Sequence, residues 1–397
     1  MSQQRLILSM DTGIDDALAL AYLSACSRVD MLGVIGTYGN VTVETAVRNT
    51  TYVLGLLGRG DVPVLPGSHA PSWADLFIPD AGCAQFHGID GLGGFGPGAV
   101  DVPEAHCAAV PRAAGDARPV VSVGGYTIDD PHANPAYPVN ITDDALSGGD
   151  APETEGPLPT GVRFIIDQVR RYGRDVTVVA TGPLTDIDAA LAAAPDIAPL
   201  LRLVMMGGTL TQEGNCWDLT AETNIIQDPE AADRVFHSGA DITMVGLDVT
   251  HQCLLGGNAT QDWRNTADLR ESAGCRSAHG PDKTPLPRPN ALRFLANIAD
   301  FSIAANLQAD ARLFASGMPL HDPLAAAVAV DPTLVSCIDL PMKVETKSGD
   351  FHGTRGRTIG DPEGLIDPQA PRIHVALHVD AARFVSTFAA RIGTLLS

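Results

Sequence analysis

One arrangement recurs along the chain: a short apolar run, a tight turn, then apolar residues at helical spacing. The runs are Arg5–Ser9, Met31–Gly36, Val176–Ala180, Leu201–Met206 and Ile242–Leu247. Helical patterns follow at about 15–26, 43–58, 164–172, 184–194 and 229–238. Runs of this length that do not alternate suit strands covered on both faces. Strands alternating with helices predict right-handed crossovers and a mostly parallel sheet. The expected fold class is α/β: a single doubly wound domain with a mostly parallel central sheet, helices on both faces and surface insertions. The chain has 397 residues, 45% of them hydrophobic and only 5% aromatic, which suits a large core packed by Ala, Val and Leu.

Two stretches break the rhythm. Residues 97–159 are rich in Pro, Gly and Asp, with ten acidic residues against two basic ones. Residues 256–289 are polar and punctuated by Pro and Gly. Both are expected to be insertions on one domain spanning 1–397, since neither has the apolar content for its own core. KVETKSGDFHGTRGRTI (343–359) predicts a hairpin, and 379–396 an amphipathic helix.

The net charge of −21 comes with no cluster of Lys or Arg, which argues against nucleic acid or an anionic membrane as partner. No apolar stretch approaches the roughly 20 residues that a membrane span needs. Seven scattered cysteines, with no C-x-x-C, fit a reducing compartment and provide no disulfide framework or zinc site. With no leader-like start, a cytoplasmic location is expected.

Ligands of open α/β sheets bind beyond the carboxyl ends of the strands. Polar residues gather there. Asp11, Asp15 and Asp16 follow the first run, and Thr37, Tyr38, Gly39 and Asn40 the second. Thr181 follows the third, two glycines with Asn215, Glu222 and Asn224 the fourth, and Asp248 and Thr250 the fifth. His321 and Asp322 precede an apolar helical pattern. Carboxylates gathered in one place need a counter-charge, and a hard divalent cation with oxygen ligands is the simplest. Helix capping is an alternative for Asp15, Asp16 and Asp322, and loop capping for Glu222 and Asn224. Phosphate chemistry is disfavoured: Ser9 and Gly13 flank Asp11 where a D-x-D-x-T nucleophile motif would need Asp and Thr, and no P-loop motif occurs.

In this order along the chain, DTGIDDALAL, GTYGN, QFHGIDGLGG, TGPLTDI, VMMGG, AETNIIQDPEAA, TMVGLDVTH, HDPLA and VETKSGDFHGTRG resemble the inosine–uridine-preferring nucleoside hydrolases, calcium-dependent N-ribohydrolases. The resemblance implies that Asp11, Asp16 and Asp322 hold Ca²⁺ with the Thr181 carbonyl. It implies ribose contacts from Asp15, Asn40, Asn215, Glu222 and Asn224, with Met206 beside the sugar and His87 and His321 near the base. Cleavage builds positive charge on the ribosyl ring, which acidic groups stabilise. Asp11 is then the expected base for water and His321 the expected acid for the leaving base. The implied substrate is a purine and/or pyrimidine ribonucleoside, and the implied assembly a homodimer or homotetramer. The chain departs from the pattern at Ser9, where the family usually has Asp, and before HDP, where tyrosines are usual and Phe301 and Phe314 are the available aromatics. These departures keep a second reading open: a weakly active or non-catalytic ribose- or nucleoside-binding relative.

Overall fold

The computed structural model describes residues 3–97, 158–272, 288–348 and 353–394. The first part of the chain forms β1 (Gln4–Met10), α1 (Ile14–Ser24), β2 (Val29–Gly36), α2 (Val43–Leu56), β3 (Val64–Pro66) and α3 (Ala81–His87). Then come α4 (Thr160–Tyr172), β4 (Val176–Ala180), α5 (Thr185–Ala193), β5 (Arg202–Met206), α6 (Thr223–Gln227), α7 (Pro229–Phe236) and β6 (Asp241–Val245). After them lie α8 (Leu247–Thr250), β7 (Leu254–Leu255), α9 (Gly257–Ser272), α10 (Arg288–Ala309), α11 (Ala311–Phe314), β8 (Met318–Pro319) and α12 (His321–Val330). The chain closes with β9 (Val335–Val344), β10 (Thr358–Gly360), β11 (Arg372–Val379) and α13 (Ala381–Thr394).

Nine strands form one sheet in the order β10-β9-β11-β6-β5-β4-β1-β2-β3. It is parallel from β3 to β11; β9 runs antiparallel to both β11 and β10. The five predicted strands and their helices are all present. The predicted hairpin is the β9–β10 pair, with Thr358 opposite Val344. The predicted final helix is α13.

Strands β1 and β4 hydrogen-bond side by side, but the chain runs one way from β1 to β2 and β3, and the other from β4 to β5 and β6. Such a reversal leaves a crevice at the carboxyl ends of the two strands, because their crossovers leave towards opposite sides. Asp11 follows β1 and Thr181 follows β4, so the topology alone brings them together. Two apolar clusters cover the faces. One includes Leu6, Leu8, Leu18, Leu20, Leu324 and Phe388; the other includes Ile7, Ile165, Val178, Ile187 and Val235. Alternate β1 residues thus enter opposite clusters, as the two-residue period of a strand requires.

Of the acidic stretch 97–159, residues 98–157 lie outside the described residues, as do 273–287 of the stretch 256–289. The front of that second stretch is helical. It is α9, which buries Trp263 and Ala267 and packs on α10 and α13. Among the described residues, no helix is long and apolar enough to cross a membrane.

Candidate active site

The turn between β1 and α1 brings three carboxylates into the crevice. Asp11 ends the strand side of the turn, and its Oδ2 accepts the Asn40 backbone N–H at 2.7 Å. Its Oδ1 is buried and has no partner among the described residues. Asp16 lies in the first turn of α1 and folds back on it: its Oδ2 accepts the Gly13 N–H at 2.8 Å, and its Oδ1 accepts the Thr181 hydroxyl at 2.6 Å. Helix capping and site building are therefore the same act at Asp16. Asp15 projects differently; its Oδ1 is buried and unpartnered. Asp322 arrives from the first turn of α12, which packs along α1.

Carboxylate oxygens of Asp15, Asp16 and Asp322 all lie within 4.8 Å of one another, a grouping that could hold a metal ion. Asp15, expected at the ribose, therefore belongs to the tightest acidic group, with Asp11 just beyond it. The reason is geometric: Asp15 and Asp16 share one helical turn, whereas Asp11 stands on the strand side.

Burial and mutual repulsion raise the pKa values of these groups. Asp11 is raised well above the usual carboxylate range by desolvation, then by the charge of Asp16. Asp322 is raised well above it by desolvation and the charges of Asp15, Asp16 and Asp11. Asp16 is pushed up to about 6 by desolvation, then by Asp15. Asp15 is raised too, by desolvation, which its neighbour Asp322 partly offsets. No Lys or Arg hydrogen-bonds any of the four among the described residues. Four oxygen-donor side chains, two of them with unpartnered buried oxygens, fit a hard divalent cation.

The polar wall is built by Glu222, Asn224 and Thr181. Glu222 caps α6, accepting N–H groups of Asn224, Ile225 and Gly208. Burial pushes its carboxyl up to about 7. Asn224 Nδ2 donates to the Thr181 carbonyl at 2.8 Å and to the Met206 carbonyl at 3.2 Å. The carbonyl expected to face a metal thus carries one hydrogen bond already, with a second lone pair left over. Met206 is buried with its sulfur 3.5 Å from Asn224 Nδ2. Asn215 is not brought into this group: it is exposed, and its Oδ1 accepts from the Thr223 backbone and hydroxyl.

Histidines line another side. His87 Nδ1 accepts the Ile14 N–H at 3.1 Å, so that nitrogen carries no proton. Its 3.7 Å approach to Asp15 is therefore not an ion pair. Desolvation agrees, holding His87 down at about 4. His321 Nδ1 lies 2.8 Å from the Thr250 hydroxyl. Its pKa is held well below the ordinary value by burial, then by His251 and His87. His251, to which the sequence pattern gives no role, joins them; its ring stands 5.6 Å from that of His321 and 5.5 Å from that of Phe314. Asp186, also missed, is a buried carboxylate on the first turn of α5, accepting the Ser68 N–H at 2.6 Å. Ser9 Oγ lies 3.5 Å from it, so a carboxylate does stand beside Ser9, supplied by another element.

A family model described as inosine-uridine preferring nucleoside hydrolase matches residues 6–386. The chain belongs to this family. Its members are N-glycosyl hydrolases, and the matched span holds every site residue described above. A pyrimidine-specific ribonucleoside hydrolase RihA of Klebsiella pneumoniae is 30% identical over 98% of this chain and 97% of its own. The RihA of Citrobacter koseri is 29% identical over 97% of each. Among solved structures, a purine-preferring ribonucleoside hydrolase from Gardnerella vaginalis is 36% identical, with a TM-score of 0.71 over 99% of both chains. A plant nucleoside hydrolase is 25% identical, also with a TM-score of 0.71, over 98% of this chain and 99% of its own.

Proposed function

We propose that the protein hydrolyses the N-glycosidic bond of pyrimidine and/or purine ribonucleosides to ribose and free base, with Ca²⁺ in the carboxylate cluster. The observation that carries this reading is the cluster itself: buried carboxylates without a basic partner, two of their oxygens unsatisfied. Ca²⁺ is favoured because it takes about six to eight oxygen ligands in flexible geometry. Asp15, Asp16, Asp322, Asp11 and the Thr181 carbonyl are the candidates to hold it. A cation there supplies the charge that keeps these carboxylates ionised and lowers the pKa of a neighbouring water. Relatives named as pyrimidine-specific and as purine-preferring support leaving both base classes in the proposal.

The protein's own groups then divide the work. Asp11, fixed through Oδ2 by the Asn40 N–H, keeps Oδ1 to take the proton of the attacking water. Asp15, Asn40, Glu222 and Asn224 surround the space where ribose hydroxyls are to be held, which fixes the reacting carbon. The carboxylates of Asp15 and Glu222 stabilise the positive charge that develops on the ribosyl ring. His321 is to donate a proton or a hydrogen bond to the departing base.

Ser9 favours a second reading, a ribose-binding relative with weak or no turnover. Reducing-sugar release from uridine, cytidine, inosine and adenosine separates the two. The expected result is ribose release that chelation stops and added Ca²⁺ restores, with Asp11→Ala inactive. No release from any of the four sinks the main reading; ribose binding without release favours the second.

A further inference from the structure

The helices that start with the site's carboxylates end together elsewhere. Helix α1 runs from Asp15 and Asp16 past Tyr22 to Ser24, with Ala25 and Cys26 just after it; α12 runs from Asp322 to Val330, with Asp331 as its C-cap. At these carboxyl-terminal ends, by the start of β1, lies a second cavity of about 450 Å³. Gln4 opens it, and Arg28, Arg383 and Arg391 line it against a single lining acid, Asp331. In a chain of net charge −21, three arginines around one cavity run against the background.

Their neighbours are not equivalent. Arg383 is engaged: it pairs with Asp331 and Asp380 and donates to the Thr333 carbonyl. That is the ordinary use of a cation near helix carboxyl ends. Arg391 is different. Its Nη1 donates to Tyr22 Oη at 3.2 Å and to Cys26 Sγ at 2.8 Å, and its guanidinium lies 4.9 Å from the Tyr22 ring centre. Burial raises both the Tyr22 hydroxyl and the Cys26 thiol, so these partners are neutral at neutral pH. Among the described residues, Nε and Nη2 of Arg391 hydrogen-bond nothing, and no carboxylate is in ion-pair contact with it, although the charge of Asp331 acts on it from farther off. A guanidinium has five donors in a planar fork that matches phosphate oxygens. Here three of those donors stay available in a part-buried residue on a cavity wall. Arg28 is exposed on the same cavity and adds a second positive charge.

We propose that this cavity is a binding site for a small phosphate monoester, a pentose phosphate or a nucleoside monophosphate, gripped by Arg391 and Arg28. A volume of about 450 Å³ suits a small metabolite more than a lone ion. Arg391 provides the fork for the phosphate, and Gln4 and Thr387 the polar wall for hydroxyl groups.

Calorimetric titration of the full chain with ribose 5-phosphate, uridine 5′-monophosphate and inorganic phosphate tests this. At least one of the two organic phosphates is expected to bind with one site per chain, more tightly than inorganic phosphate. Arg391→Met is expected to weaken it about tenfold or more, the loss of charge-assisted hydrogen bonds. Arg28→Gln is expected to weaken it about threefold. Asp11→Ala, at the other end of the sheet, is expected to bind as the parent does. Failure of both organic phosphates to bind at a few millimolar overturns the proposal. So does binding that Arg28→Gln leaves intact, or binding that Asp11→Ala abolishes.

Discussion

His321 is asked to help a base depart, yet burial beside His251 and His87 keeps it neutral at neutral pH. A neutral imidazole still carries one N–H, and the partner on the other nitrogen decides which. Thr250 is that partner, 2.8 Å from Nδ1. If the Thr250 hydroxyl donates to Nδ1, the proton sits on Nε2, which is then the donor available to a base. The expected outcome for His321→Ala is a loss of about 10²–10⁴-fold in kcat on uridine or inosine, and a much smaller loss on p-nitrophenyl riboside, whose leaving group needs no proton. Thr250→Val should move in the same direction more weakly. Equal slowing on both substrates would remove the acid role. The carboxylates and His321 were legible in the sequence because each follows a strand or opens a helix on the crevice side. Thr250 gains its meaning only through a neighbour 71 residues away, and Asp186 reaches Ser9 across 177. Asn215 also follows β5 in sequence, but its loop carries it to the surface.

Among elements, the start of α1 bears most of the site. Gly13 at its N-cap has φ −93° and ψ −160°, which any residue tolerates. What excludes a larger residue is space. A Cβ there would stand 2.4 Å from His87 Nδ1 and 2.8 Å from Asn40 Nδ2. Gly39 is tight for the same reason, its Cβ position falling 2.0 Å from Asp11 Oδ2, and its φ of 155° adds strain. Gly13→Ala is therefore expected to push His87 away and break its bond from Ile14, costing about 1–3 kcal/mol of stability as overpacking does and raising KM. His87→Ala vacates the space, so adding Gly13→Ala to it should cost little more in Tm. A full second penalty in the double variant would place the clash elsewhere. The five inner strands were legible as unbroken apolar runs because both their faces are covered. Strand β11 and the part of β9 before the predicted hairpin were not: they pair antiparallel towards the sheet's edge, and residues 336–339 of β9 are exposed, so the apolar signal is diluted. Helix α10 escaped because it packs against several helices at once and lacks one clear apolar face.

For the whole molecule, the acidic crevice links pH, metal and stability. Asp16 moves from an ordinary 3.8 to about 6, and Glu222 from 4.5 to about 7, both chiefly through burial. Each is an acid whose pKa is raised by folding, so the folded chain binds the proton more tightly than the unfolded chain. The stability that this contributes is complete below the ordinary values and drains away as pH climbs through about 6 and about 7. Asp11 and Asp322 are raised in the same direction and add to the loss. Metal-free protein should therefore lose several degrees of Tm between about pH 4 and pH 7, the window those shifts define. A cation binds the ionised cluster and competes with these protons, so its stabilisation should grow over that same window. Thermal melts across the range, with chelator and with saturating Ca²⁺, read both curves. They should lie close together at the acid end and separate as pH rises. Asp16→Asn, which holds no titrating proton, should flatten the metal-free curve. A chelated protein whose Tm climbs steadily through the window would show that the cluster ionises without a cation, and would take away the reason to put one there.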